Sequence, residues 1–197
     1  MSLVEIRSQI EASIATKKAL LDDVVLLRKI ISFADITVQC LKQGGKIIFA
    51  GNGGSFADAQ HLSAEFVSRF MFDRAPMASL VLGANSSTIS AIGNDYGYER
   101  IFARELEGLA KVGDVFVPIS TSGNSANILA AVEQAHKIGL ITLAFTGANG
   151  GKLASLCDCL CVPSAETPRV QECHIMLGHI LCGLVESDFF SFMINND

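Results

Sequence analysis

Lys46-Ile47-Ile48-Phe49-Ala50-Gly51-Asn52-Gly53-Gly54-Ser55 decides the fold. A short run that is almost wholly apolar reads as a strand buried on both faces. Glycines then turn the chain, and a helical pattern follows to about Phe72. The same order returns further on. Val115 to Ile119 is an apolar run, Ser120-Thr121-Ser122-Gly123-Asn124-Ser125 turns the chain, and Ser125 to Lys137 is helical in pattern. Three more apolar runs, Ser79 to Leu82, Ile141 to Phe145 and Cys159 to Val162, complete a set of five strands. Further helices are predicted at Tyr98 to Ala110, Lys152 to Leu156 and Val170 to Phe190. Ahead of the first strand, Leu3, Ile6, Ile10 and Ile14 recur at helical spacing, and a second apolar-rich helix runs from Val24 to Leu41. Gly44-Gly45 closes it, as glycine closes many helices. Strands alternating with helices predict an α/β fold with a parallel sheet and right-handed crossovers. No linker or repeat divides the chain, so the expectation is one domain over 1–197, with helices over 1–43 and an α/β core over 44–197.

Composition narrows the class. The chain has 197 residues, half of them hydrophobic and 18% charged, enough apolar matter for a large core and too little polarity for disorder. No apolar stretch reaches the roughly 18 residues of a spanning helix. Glu5 stands where a leader would be basic and then apolar, so no signal peptide is read and a cytoplasmic location is expected. A net charge of −5, without a lysine or arginine cluster, argues against a nucleic-acid binder. Of the six cysteines, Cys157, Cys159 and Cys161 would share one face of a strand. They lack the paired spacing of structural zinc sites, which favours buried thiols over a metal site.

Two turns at strand ends carry the candidate chemistry. Gly51 to Ser55 and Ser120 to Ser125 each leave a strand and open a helix, where free N–H groups and the helix dipole favour an anion. Four hydroxyls within 120–125 add donors. There is no P-loop lysine and no GxGxxG spacing, so a small monophosphate suits the second turn better than a nucleotide. Helix capping by the same serines is the competing reading.

His61 and Glu65, four apart, share one helix face, where they can bind a metal, work as acid and base, or form a surface contact. On the last helix Gln171, Ile175 and His179 follow at i, i+4 and i+8, placing His179 among apolar neighbours where it needs a partner. His61, Glu65, Gln171 and His179 together offer two nitrogens and two oxygens, a donor set for one zinc ion if the two helices meet. Ile92 to Gly97 reads as a polar loop in which Asn94 and Asp95 either hold sugar hydroxyls or cap the next helix.

GNGGSFADAQHLSAEF (51–66), AIGNDYG (91–97), STSGNSANIL (120–129) and RVQECHIMLGHILCGLVE (169–186) together resemble the phosphoheptose isomerases of the sugar isomerase, or SIS, fold family. The likeness spans nearly the whole chain. It departs from the family pattern at Phe56, at Val170 and in a slightly long tail after Glu186. The resemblance implies a flavodoxin-like three-layer α/β/α sandwich with a five-stranded parallel sheet. It implies a homotetramer with active sites between subunits, one zinc per subunit, and a phosphorylated seven-carbon sugar as substrate. The implied reaction converts sedoheptulose 7-phosphate into D-glycero-D-manno-heptose 7-phosphate, the first step towards ADP-heptose and the lipopolysaccharide core. By the same resemblance His61, Glu65, Gln171 and His179 hold the zinc, with Glu65 as base and His179 as acid. Asn52, Gly53, Gly54, Ser55, Glu65, Arg69, Asn94, Asp95, Ser120, Thr121, Ser122, Ser125 and Gln171 meet the substrate. Two non-catalytic readings stand beside it: a SIS protein that binds the bacterial replication initiator, and a phosphosugar sensor. The first is expected to lack the full acid/base and metal set, and the second is usually fused to a DNA-binding module.

Overall fold

Ile47, Phe49, Val115, Val117, Ile119, Phe145 and Leu160 are buried on one side of a sheet, and Ile48, Ala50, Phe116 and Ala144 on the other. That alternation within runs that are apolar throughout is how a sheet covered on both faces is built. A computed structural model describes residues 2–191, so Met1 and the end of the tail lie outside the described residues. Two helices come first, α1 (Leu3–Asp22) and α2 (Val24–Lys42). Then follow β1 (Ile47–Gly51), α3 (Gly54–Val67), β2 (Ser79–Val81) and α4 (Ser86–Tyr96). A 3₁₀ turn (Tyr98–Arg100) leads to α5 (Ile101–Leu109), β3 (Val115–Ser120), α6 (Ala126–Ile138) and β4 (Ile141–Gly147). A second 3₁₀ turn (Gly151–Ser155), β5 (Asp158–Val162) and α7 (Thr167–Phe189) complete the chain.

The strands pair in the order β2-β1-β3-β4-β5, all parallel. Helices α2, α3 and α7 cover one face and α4, α5 and α6 the other. This is the three-layer, flavodoxin-like sandwich expected from the sequence. Its strand order reverses between β1 and β3, and open sheets of this kind take ligands at that crevice, outside the carboxyl ends of the strands. The glycine-rich turn leaves β1 there, and the serine-rich turn leaves β3.

Several expected elements differ. Helix α3 ends at Val67, not Phe72, because the carbonyls of Glu65, Phe66 and Ser68 turn to the Arg74 guanidinium. Ile92 to Tyr96 is the last part of α4 rather than a loop. Asn85 caps that helix by accepting from the N–H groups of Ser87 and Thr88, an end signal hidden in a Ser/Thr-rich stretch. Cys157 precedes β5, so only Cys159 and Cys161 lie on the strand. Among the described residues the three thiols form no metal-ligating group.

Helix α1 opens with a reciprocal capping box, Ser2 with Glu5. It buries only Thr16 and Leu20, leaving Leu3, Ile6, Ile10 and Ile14 each more than half exposed. No helix among the described residues is long and apolar enough to cross a membrane.

Candidate active site

Helices α3 and α7 pack so closely that Gly178 faces the Leu62 side chain with no room for a Cβ. That contact brings their polar faces together. The Nε2 atoms of His61 and His179 lie 2.8 Å apart, and His61 Nε2 is 3.2 Å from Glu65 Oε1. The ligand atoms of His61, Glu65 and His179 all fall within 4.8 Å of one another, the one His/Cys/Asp/Glu group of this kind among the described residues. Two imidazole nitrogens bound tetrahedrally at about 2.0–2.1 Å would stand about 3.3 Å apart. An opening of about half an ångström therefore fits these residues to a zinc-sized ion.

Gln171 lies two turns up α7. Its carboxamide rests against the Cα of Gly54, close enough to Asp58 to act on that carboxyl. Asp58, which sequence reasoning missed, is on the same face of α3 as His61 and Glu65 at spacings of three and seven. Burial raises its pKa, while His61 and Gln171 oppose the shift. The i, i+3, i+7 spacing was the signal that could have found it.

At the switch point, Asn52 and Asn127 exchange side-chain amide hydrogen bonds of 2.9 and 2.8 Å, tying the β1 turn to the first turn of α6. Asn127 is buried and was also missed. The Ser125 hydroxyl lies 3.1 Å from that of Ser120 and makes no capping bond, although Ser125 is the N-cap of α6. Capping does not account for this serine. The Ser122 hydroxyl accepts from Asn124 N–H and is otherwise exposed. The Thr121 carbonyl accepts from Gly147 N–H, pinning the turn to β4. Gly123 turns the chain at φ 65°, and a side chain there would strike the Gly150 backbone. Gly53 and Gly54 start α3, Gly53 as an N-cap without a side-chain bond, and Ser55 is buried behind them.

Other sequence candidates stay apart. Asn94 and Asp95 bond each other on the exposed end of α4, and no hydrogen bond joins them to the His61 group. Arg69 is exposed past the end of α3 and makes no ion pair with a described residue.

The strongest unanticipated feature lies behind the histidines. Glu186 and Arg74, both side chains wholly buried, form a 2.8 Å ion pair. Glu186 also accepts from the N–H groups of Phe70 and Met71, and Arg74 donates to the Glu65 carbonyl.

A parallel 2-1-3-4-5 sheet covered on both faces, with glycine- and serine-rich turns at its switch point, defines the flavodoxin-like class of α/β protein, which takes ligands at that crevice. The SIS domain family model matches residues 14–147. The chain is 53% identical over 186 residues to the phosphoheptose isomerase of Aneurinibacillus thermoaerophilus, covering 94% of each. A solved phosphoheptose isomerase from Francisella tularensis superposes with a TM-score of 0.91 at 36% identity, over 95% of this chain and 99% of that one. One from Neisseria gonorrhoeae gives 0.88 at 39% identity, over 94% and 100%. The chain belongs to the SIS-domain family and, within it, to the phosphoheptose isomerases.

Proposed function

We propose that this enzyme converts sedoheptulose 7-phosphate into D-glycero-D-manno-heptose 7-phosphate with one zinc ion per subunit. The observation that carries the reading is the meeting of His61 and Glu65 on α3, the helix that starts at the β1 turn, with His179 on α7. Ketose–aldose exchange needs a base, an acid and a stabiliser for an oxyanion, and this group offers all three.

His61, Glu65 and His179 would hold the zinc, with Gln171 as the fourth donor. Bound there, zinc supplies Lewis-acid polarisation of the sugar carbonyl. Glu65 takes the proton from C1 as the C1–C2 double bond forms, and His179 gives a proton to O2, leaving a neutral enediol. O1 then returns a proton to His179 while C2 receives one from Glu65, which yields the aldose and restores both groups. A carboxylate held by a metal is a weaker base, so Glu65 works with one oxygen free of it. Ser120, Thr121, Ser122 and Ser125, with the N-terminus of α6, hold the phosphate. Asn52, Gly53, Gly54 and Ser55 line the approach from β1, and Gln171 closes the space above Gly54.

Arg69, Asn94 and Asp95 reach substrate in the assembled protein, a homotetramer of about 84 kDa from four 21.0 kDa chains. The exposed apolar residues of α1 and α2, within 1–43, make its contacts, and the active sites lie between subunits. The product enters ADP-heptose synthesis in the cytoplasm.

Purified protein incubated with sedoheptulose 7-phosphate should form the aldose, lose activity on chelation and regain it with zinc. Glu65→Gln and His179→Gln should each cost about 100- to 10,000-fold in turnover. Zinc content is measured in every variant, since metal loss would imitate loss of the acid or base. Ser120→Ala and Ser122→Ala should chiefly weaken binding. Wild-type turnover by zinc-loaded Glu65→Gln would refute the proton transfer. Binding of the sugar phosphate without any aldose formation would instead favour a sensor or binding protein.

A further inference from the structure

A metal-bound histidine commonly donates its second ring nitrogen to a carboxylate or carbonyl, which fixes the ring. His179 does not. Among the described residues its one hydrogen bond runs through Nε2 to His61. What holds the ring is a flat contact: the Phe70 ring stacks on it with centroids 5.6 Å apart and planes 22° from parallel. Phe70 lies beyond the end of α3, in a segment without regular structure, so something else must hold Phe70.

That role falls to the buried ion pair. Glu186 accepts from Phe70 N–H at 2.9 Å, Met71 N–H at 2.7 Å and Arg74 Nε at 2.8 Å. Arg74 in turn donates to the carbonyls of Glu65 at 2.7 Å, Phe66 at 2.8 Å and Ser68 at 3.0 Å. Thus one pair fixes both the backbone of Glu65 and the platform under His179. Glu186 stands two turns after His179 on α7, so helix, pair, platform and imidazole form a closed loop of contacts.

We propose that Phe70, clamped by Arg74 and Glu186, is a positioning residue that sets the metal affinity of His179 by stacking where a hydrogen bond would otherwise serve. The inference rests on the metal-assisted reading of this site.

Zinc dissociation constants are measured by competition with a chromophoric chelator, beside melting temperature, kcat and KM. Phe70→Leu keeps an apolar side chain and removes the ring. It should weaken zinc binding about 10- to 100-fold, the usual loss when a group supporting a ligand is removed. Its kcat should fall while KM for the sugar phosphate stays within about twofold, because the 120–125 turn is untouched. Phe70→Tyr retains the ring and should restore affinity. Single changes at Arg74 or Glu186 would strand a buried charge and risk unfolding. The double variant Arg74→Met/Glu186→Leu strands no charge, though it leaves the Phe70 and Met71 N–H groups and the Glu65, Phe66 and Ser68 carbonyls without these partners, so its melting temperature is read first. It should stay folded yet lose zinc affinity as Phe70→Leu does, and adding Phe70→Leu to it should bring little further loss. Wild-type zinc affinity in Phe70→Leu or in the folded double variant would overturn the inference and leave the metal site standing. Equal losses in Phe70→Leu and Phe70→Tyr would also overturn it. Failure of the wild type to bind zinc would remove both readings.

Discussion

Gly54→Ala should separate stability from catalysis. Gly54 is the first residue of α3 and is not among the glycines with positive φ, so alanine suits the backbone. Alanine is favoured over glycine within a helix by up to about 1 kcal/mol. The new Cβ, however, would land on the amide nitrogen of Gln171 and lie 2.7 Å from its Cδ and Oε1. Ordinary contact is near 3.4 Å, so the carboxamide must withdraw by about 1 Å. The far end of a flexible side chain can do that at little cost in stability, but it gives up its place against the glycine turn, which the proposed reaction needs. A misplacement of about 1 Å at a reacting centre can cost about 100-fold in rate. The melting temperature should therefore hold or rise by up to about 4 °C, while turnover of sedoheptulose 7-phosphate falls about 100-fold. Turnover within twofold of wild type would refute the placement of Gln171. A large drop in melting temperature would show that Gly54 serves the fold instead.

Other expectations follow from separate parts of the molecule. Gly178→Ala would set a Cβ 2.5 Å from both Leu62 methyls. Overpacking of that kind should cost about 1–3 kcal/mol in denaturant unfolding and, by parting α3 from α7, lower zinc content at fixed zinc concentration. Buried His174 has its pKa pushed down to about 4 by desolvation, its ring bonding the Thr146 carbonyl. Below the unfolded value near 6.5 the unfolded chain binds a proton that the native state refuses, so stability falls as pH drops from 6.5 towards 4. By pH 4.5 this group alone should remove about 2–3 kcal/mol, read as the difference in pH slope between wild type and His174→Gln. Ile10→Asp changes a residue 54% exposed in the single chain and should leave the fold intact. It should reduce the mass seen by light scattering, and an unchanged mass would exclude α1 from the proposed interface.

The sheet was legible because its strands are apolar on both faces and end in glycine- or serine-rich turns. Helix α4 was not. Ser86, Ser87, Thr88 and Asn94 are residues whose side chains compete for backbone hydrogen bonds, so the segment reads as a loop until packing decides. His61 and Glu65 showed their partnership by spacing, and the ordered set of motifs reached His179 on another helix. Arg74 and Glu186 gave no such sign. They stand 112 residues apart, and only the fold brings them within 2.8 Å. Asn52 and Asn127, 75 apart, each lay inside a quoted motif, but only the first was given a role, because nothing in the sequence pairs them.

Helix α3 carries the glycine turn at one end and two of the three clustered side chains, His61 and Glu65, further along. At about 1.5 Å per residue, His61 and Glu65 stand about 10 and 16 Å from Gly54. The helix is thus a ruler as well as a scaffold. One residue inserted between Ser55 and His61 would lengthen it by only about 1.5 Å, but would swing both side chains about 100° around the axis and off the α7 side. Substitution can therefore retune this stretch of chain, whereas a change in its length would uncouple the end that meets the sheet from the end that meets α7.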